Sequence, residues 1–264
     1  MIKALRSTLL PRRNTMLAAL VMAAIAATAH ADSVTLVNGD FSQLAMNASA
    51  EFGANNPSQQ VTGWTGSGLA FVYLPGTIDT TGAPLAGDPN PFRVWGPNTG
   101  SNNGLTPSPA GGNIIALDGD QTPGMAGTIS QTLTGLTVGD TVTVSFYFAG
   151  AQQSGYIGNT TEQLEVSLGG QNDFTPVLQN TSEGFTGWNT ESLTFTPTST
   201  SETLTFLAIG TPVGEPPISL LSDVTVSEAS PVPEPASLSL MATGLVGIAG
   251  LARSRFKSQA SNTR

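Results

Sequence analysis

The pattern of hydrophobic and polar positions predicts a succession of short β-strands in the middle of the chain. In residues 141–148, apolar side chains alternate with Ser, Thr and Tyr, which places the two kinds on opposite faces of a strand. The same alternation or a β-rich composition occurs at residues 34–37, 69–74, 113–118, 128–134, 164–168, 193–195, 204–208 and 218–226. Because glycine-containing turns separate these runs, the sequence predicts about ten strands in an all-β fold, a two-sheet β-sandwich of jelly-roll type.

The N-terminal end lacks this alternation and has the three parts of a secretory signal peptide. Residues 1–14 carry four basic side chains, and residues 16–28 form an apolar run. Ala29 and Ala31 then supply the small-x-small pattern after which signal peptidase cuts. We therefore expect a signal peptide over residues 1–31 rather than the alternative, a retained signal anchor.

A second apolar segment lies near the C-terminus. Residues 236–252 hold no charged side chain, and a helix of that length would span roughly 25 Å, at the short end of a membrane crossing. The alternative, a buried helix, would need a polar face, but only Ser239 and Thr243 are polar between residues 238 and 252. The sequence thus predicts a transmembrane helix at about 236–252, followed by a disordered tail at 258–264.

The residues around this segment resemble the PEP-CTERM protein-sorting signal of Gram-negative bacteria. The resemblance covers residues 230–257, and the motif residues are Val232, Pro233, Glu234, Pro235, Arg253, Arg255 and Lys257. It implies an inner-membrane intermediate that an exosortase-type transpeptidase cuts near the Pro-Glu-Pro element. The product would be released or attached at the cell surface, in association with exopolysaccharide or biofilm.

The region between the two ends, residues 32–229, is strongly acidic. It holds seventeen Asp and Glu and one basic residue, Arg93, which gives a net charge of −16 and excludes nucleic acid as a partner. The chain has no cysteine, and His30, the sole histidine, lies in the signal peptide. Disulfides, thiol or histidine catalysis and the usual zinc sites are therefore excluded for this region.

One stretch of the acidic region is too rich in proline and glycine to predict regular strands. Residues 75–112 are therefore expected to form a long irregular loop, which is typical of a functional segment. The loop contains Phe92, Arg93 and Trp95, and Tyr156 lies in another glycine-flanked loop. Aromatic side chains around a single cation are suited to stacking against a sugar ring, so these four residues are the candidate ligand site.

Short motifs at residues 37–41, 63–64, 116–119, 129–133 and 221–224 resemble jelly-roll modules of carbohydrate-binding families 4 and 9. The resemblance implies a structural calcium ion held by Asp40 and Asp223, although Ser42 and Ser222 stand where the family has acidic residues. No other cofactor is expected.

Taken with the sorting signal, these features predict a non-catalytic exported surface or extracellular-matrix protein. A carbohydrate-binding module is the first alternative. A glycan-active hydrolase is the second, since such an enzyme needs two carboxylates placed across a cleft, and the sequence singles out no such pair.

Overall fold

A computed structural model describes residues 34–85, 88–229 and 244–245 of the chain. The predicted signal peptide, the sorting motif and the C-terminal tail lie outside the described residues, as does the predicted transmembrane helix apart from Gly244 and Leu245. Among the residues described, no helix is long and apolar enough to cross a membrane. One compact unit spans Ala31–Pro231.

This unit is built almost entirely from β-strands. They are β1 (Ala50–Glu51), β2 (Thr65–Ser67), β3 (Ala70–Tyr73), β4 (Ala83–Leu85), β5 (Asp88–Phe92), β6 (Ile114–Asp118), β7 (Thr128–Thr134), β8 (Val142–Gln152), β9 (Thr160–Leu168), β10 (Gln171–Phe174), β11 (Leu178–Asn180), β12 (Asn189–Phe195), β13 (Ser201–Thr211) and β14 (Pro217–Glu228). A short 3-10 helix covers Pro97–Thr99.

Twelve of the strands form two antiparallel sheets, and β4 and β5 pair with each other as a separate ribbon. Sheet I has the order β1-β3-β6-β14-β8-β12, and sheet II has the order β10-β9-β13-β7-β2, with β11 also paired to β9. From β6 to β9, and again from β12 to β14, each successive strand lies in the opposite sheet, as in jelly-roll connections. The predicted all-β, two-sheet sandwich is therefore confirmed. Residues 34–37 differ from the prediction, because only Thr35 pairs there, in an isolated bridge to Thr134.

The main core lies between the two sheets and follows the alternation seen in the sequence. Strand β9 is buried at every second position, as is β7 from Ile129 onward. Trp64 anchors this core, since its ring packs on Phe41 and Phe206 and its indole N–H donates to the main-chain oxygen of Asn38. The polar side chains at the alternate positions of sheet II consequently lie on its outer face, whereas Gln131, Glu162 and Glu202 are buried.

The outer face of sheet I is covered by residues 75–112, which we call the covering segment. The expectation of an irregular loop was wrong here, since the segment contains the β4-β5 ribbon and packs into a second apolar cluster. Phe92 stacks on Phe71 of β3 with 4.2 Å between ring centroids. Tyr73 donates its hydroxyl hydrogen to the main-chain oxygen of Phe92.

This cover explains why alternation disappears in four strands of sheet I. All residues of β3 and β6 are buried, as are the first six of β14 and the last five of β8. A strand that is buried on both faces reads as a continuous apolar run rather than an alternating one. Small side chains at Ala149 and Ala151 leave room for the covering segment.

The two ends of the sandwich differ in what they carry. The base, as we call one end, contains the β7–β8 turn (residues 135–141), the β12–β13 turn (residues 196–200) and the last residues of β14. The tip is the opposite end, with the β8–β9 loop (residues 153–159) and the β13–β14 loop (residues 212–216). Both ends of the domain meet the base, because Thr35 bonds to Thr134 and Ala229 bonds to Thr141.

Candidate functional site

Trp95 is fixed at the point where the covering segment meets the tip. Its main-chain N–H donates to the oxygen of Gln152 at the end of β8 (2.9 Å). Its indole N–H donates to the main-chain oxygen of Tyr156 (2.7 Å), and Asn103 donates to its own carbonyl (3.0 Å). Gly100 lies beside the ring, since a Cβ there would stand 3.9 Å from Cζ3. The indole is thus held in one orientation and remains partly exposed.

The structure brings three of the four predicted ligand residues to this surface. The indole of Trp95 is hydrogen-bonded to Tyr156. Arg93 lies two residues before Trp95, and its side chain is likewise partly exposed. The guanidinium of Arg93 donates to the main-chain oxygen of Thr80 (3.3 Å). The side chain of Phe92 is only 3% exposed, because it lies in the apolar cluster between the covering segment and sheet I. We call Arg93, Trp95 and Tyr156 the tryptophan platform.

A second candidate surface, which the sequence did not single out, is the outer face of sheet II. The strand register aligns five side chains that all end in a hydroxyl or amide group, one on each of β10, β9, β13, β7 and β2: Asn172, Ser167, Thr205, Ser130 and Thr65. Thr203 and Thr132 form the next row. Neighbouring strands are about 4.8 Å apart and same-face residues about 6.7 Å apart, so the hydroxyls form a regular grid.

Glu165, two residues before Ser167 on the same face of β9, borders the grid and accepts from the Asn172 amide, but the grid's hydroxyls carry no charge. Those of Thr65, Ser130, Thr132, Ser167, Thr203 and Thr205, which we call the hydroxyl face, have no hydrogen-bond partner within the described part of the chain. A depression of about 490 Å³ on this face is lined by Val37, Gly63, Thr65, Ser130, Gln131, Thr132 and Thr203. A hydroxyl both donates and accepts hydrogen bonds, so the surface suits a neutral, polyhydroxylated ligand.

The two predicted calcium ligands, Asp40 and Asp223, lie on neighbouring segments of the fold. Val224, next to Asp223, donates its N–H to the oxygen of Gly39, next to Asp40 (2.8 Å). Ser42 and Ser222, which stand where the carbohydrate-binding families 4 and 9 have acidic residues, are engaged in other hydrogen bonds. Ser42 donates its N–H and hydroxyl to Asp40 Oδ1, and the Ser222 hydroxyl lies 2.6 Å from that of Ser108.

The grouping of acidic side chains bears on whether these residues could hold a metal ion by themselves. Within residues 34–85 and 88–229, no three Asp, Glu or His side chains are grouped closely enough to hold a metal ion. Calcium at Asp40 and Asp223 would depend on main-chain carbonyl oxygens for most of its six to eight ligands.

Two acidic residues with raised pKa values are buried between or beside the sheets. Burial raises the pKa of Glu162 to about 8, and its Oε1 accepts from the Thr160 hydroxyl at 2.5 Å. Burial also raises the pKa of Asp118 to about 7, although the N–H of Asp120 donates to its carboxylate. A raised pKa is typical of catalytic acids, but both residues are at most 1% exposed.

Comparison with protein-family models decides the nature of the C-terminal region. Residues 231–255 match the PEP-CTERM protein-sorting motif. The chain carries a PEP-CTERM sorting motif. The match includes the predicted residues from Val232 to Arg255, whereas Lys257 lies beyond it. A PEP-CTERM motif marks an exported protein, so export of this chain, as predicted from both ends, is supported by the comparison.

The sandwich in front of the PEP-CTERM motif also matches a family model. Residues 96–217 match the family described as "Protein of unknown function (DUF642)", which extends from the covering segment to the start of β14. No curated protein sequence matches the chain significantly.

Solved structures similar to this chain include several carbohydrate-binding modules. The module TmCBM61, solved in complex with β-1,4-galactotriose, is 16% identical, with 64% of this chain and 90% of the module covered and a TM-score of 0.35. A CBM4 module is 19% identical (74% and 100% covered, TM-score 0.34). A xylan-binding CBM22 module of Paenibacillus barcinonensis Xyn10C is 13% identical (72% and 97%, 0.34). Because the identities and TM-scores are this low, the ligands of those modules are not transferred to this chain.

Proposed function

We propose that this protein is a non-catalytic component of the cell surface or extracellular matrix of a Gram-negative bacterium. An exosortase-type enzyme would process it, and its place would be an exopolysaccharide layer or biofilm. The observation that carries the proposal is the PEP-CTERM match at residues 231–255, directly behind a folded, strongly acidic domain. Signal peptidase would remove the N-terminal segment, and the apolar segment would hold the intermediate in the inner membrane until the tail is cut.

Removal of the sorting motif tests this proposal. A chain truncated after Ser230 should lose cell-surface display or release into the medium and accumulate in the periplasm, as measured by fractionation and immunoblotting. A full-length variant with Pro233→Ala and Pro235→Ala should show the same defect if the motif, and not chain length, is recognised. An unchanged distribution of the truncated chain would contradict the proposal.

We further propose carbohydrate binding as a second function, because a neutral hydroxyl face stands out on so acidic a domain. The six hydroxyls of that face carry no charge, whereas residues 32–229 have a net charge of −16. Neutral polysaccharides avoid the repulsion that an anionic chain would meet at such a surface. The tryptophan platform provides an aromatic ring for stacking, at a separate place on the fold.

Affinity electrophoresis of the domain in gels that contain neutral or anionic polysaccharides distinguishes the two surfaces. If the hydroxyl face binds, Thr132→Val combined with Thr203→Val should abolish retardation by the neutral polymers, since valine keeps the shape of threonine without its hydroxyl. Trp95→Ala should do so if the tryptophan platform binds. Thr190→Val on β12 serves as the matched control. Equal mobility in every polysaccharide gel would contradict carbohydrate binding.

A further inference from the structure

The last residues before the sorting motif are held against the base of the sandwich. Ala229 donates its N–H to the oxygen of Thr141 (2.9 Å), and Glu228 accepts from the N–H and the hydroxyl of Thr137 (2.7 and 3.1 Å). The motif match begins at residue 231, and Ala229, two residues earlier, is the last described residue before it. From Ala229 to Pro233 the chain can extend by at most about 14 Å.

An enzyme that cuts a peptide binds several residues on both sides of the bond in an extended form, commonly as an added strand. Five residues before Pro233, at Glu228, the chain already belongs to β14 and pairs with β8. The folded domain and the sorting enzyme would therefore compete for the same main-chain groups.

The end of β14 is built as a separable segment. A bulge interrupts the β14–β8 pairing between Ser222 and Thr225, and Asp223 within it has a left-handed φ of 52°. Before the bulge, β14 pairs with both β6 and β8, whereas residues 225–228 pair with β8 alone. The side chains at 225, 227 and 229 are exposed, and Val226 is partly buried. We call residues 225–229 the terminal segment.

We infer that the terminal segment leaves β8, with the bulge at Asp223 as its hinge, and becomes the upstream part of the peptide that the sorting enzyme binds. This inference rests on the proposed function, since it needs an enzyme that cuts at the motif. Release of five residues adds about 17 Å of extended chain in front of the motif and leaves the central part of β14 in place. The rate of processing then follows the population of the opened segment.

A crosslink across the strand pair tests this inference. Thr143 and Ser227 are directly opposite in the register, at the Cα separation that a disulfide accepts, and the chain contains no other cysteine. In a host that carries the sorting enzyme, the full-length chain with Thr143→Cys and Ser227→Cys should be processed roughly tenfold more slowly. Each single cysteine variant, and the pair after reduction, should be processed at the wild-type rate.

An inserted linker provides the complementary test. Five Gly and Ser residues placed after Ala229 should increase the processing rate roughly threefold or more, and should restore processing in the crosslinked variant. The same linker placed after Gly214, in the β13–β14 loop at the tip, is the matched control and should change nothing.

The outcomes separate the inference from the proposed function. If the crosslinked and linker variants are both processed at the wild-type rate, the terminal segment does not open and the inference is wrong, while sorting still stands. If the wild-type chain is not cut, or is cut equally well without Pro233 and Pro235, the proposed function fails and the inference fails with it.

Discussion

Glu162 and Asp118 bury carboxyl groups in surroundings that favour their neutral form. Gly150 faces Glu162 across the sandwich, and a Cβ at that position would lie 2.4 Å from the carboxyl oxygen Oε2. That oxygen accepts no well-formed hydrogen bond in the described part of the chain, although the nearby Asn180 side chain partly opposes the rise in the pKa of Glu162. Because burial disfavours the charged form, the folded protein keeps these protons at pH values where the unfolded chain has lost them.

We predict that the folded domain loses stability as the pH rises from about 5 to about 8. The pKa of Glu162 is raised from 4.5 to about 8 and that of Asp118 from 3.8 to about 7, so unfolding releases protons throughout this range. The loss should amount to a few kcal/mol in the free energy of unfolding, on the order of 1.4 kcal/mol per pH unit for each group at most. Urea denaturation at several pH values measures it.

Glu162→Gln removes one of the two titrations and should flatten the pH dependence. Glu165→Gln, on the outward face of the same strand, is the control and should leave the slope unchanged. Stability that is constant or increases between pH 5 and 8 would show that the two acids are already ionised in the fold.

At the scale of elements, the covering segment turns sheet I into an inner layer. Both faces of sheet I are apolar. One face packs on sheet II and the other packs on residues 75–112. The segment is therefore part of the hydrophobic core and not an appended loop, which fixes the tryptophan platform at its edge.

We predict that Phe92→Ala lowers the free energy of unfolding by about 3 kcal/mol, as expected for a large-to-small substitution in a core. Phe92 is 3% exposed and stacks on Phe71, so the substitution leaves a cavity beneath the ribbon. Tyr156→Ala, at a side chain 40% exposed, should change stability by less than about 0.5 kcal/mol. Equal effects of the two substitutions in denaturant titrations would contradict a core role for the segment.

The elements that alternate in sequence were predictable, and the covering segment was not. Residues 128–134 were predicted with the bounds that β7 has, because one face of that strand is open to solvent. Strand β5 contains two prolines and has no apolar alternation, so its sequence does not predict a strand. Its pairing with β4 depends on packing against the apolar cluster that contains Phe92. The continuous apolar runs in β3 and β6 were the available sign that sheet I is buried on both sides.

The candidate sites depend on strand order and were only partly predictable. Trp95 and Tyr156 were selected for their glycine-rich and proline-rich surroundings, and the fold joins them across 61 residues. The hydroxyl face draws its six hydroxyl groups from four strands, β2, β7, β9 and β13, that are not consecutive in the chain. A single strand such as β7 shows only Ser or Thr at every second position. An ordinary solvent-exposed face has the same pattern.

At the scale of the whole molecule, residues 32–229 are strongly acidic, with seventeen Asp and Glu against one basic residue. We predict that a chelator leaves the thermal midpoint unchanged, because Ser42 already donates two hydrogen bonds to Asp40 and no group of three acids exists within the described ranges. Differential scanning calorimetry with EDTA and with added calcium makes the measurement. A midpoint that falls with EDTA, and no longer does so after Asp40→Asn, would establish calcium binding at Asp40 and Asp223.

Both ends of the domain leave the sandwich beside the same turn, since Thr35 bonds to Thr134 and Glu228 bonds to Thr137. A domain with neighbouring ends can be placed inside a surface loop of another protein with only short connections. Residues 34–229 are therefore suited to grafting into a carrier protein, where the tip would point away from the carrier. Such a chimera would display the tryptophan platform and the hydroxyl face without the predicted signal peptide and without the sorting motif of the natural chain.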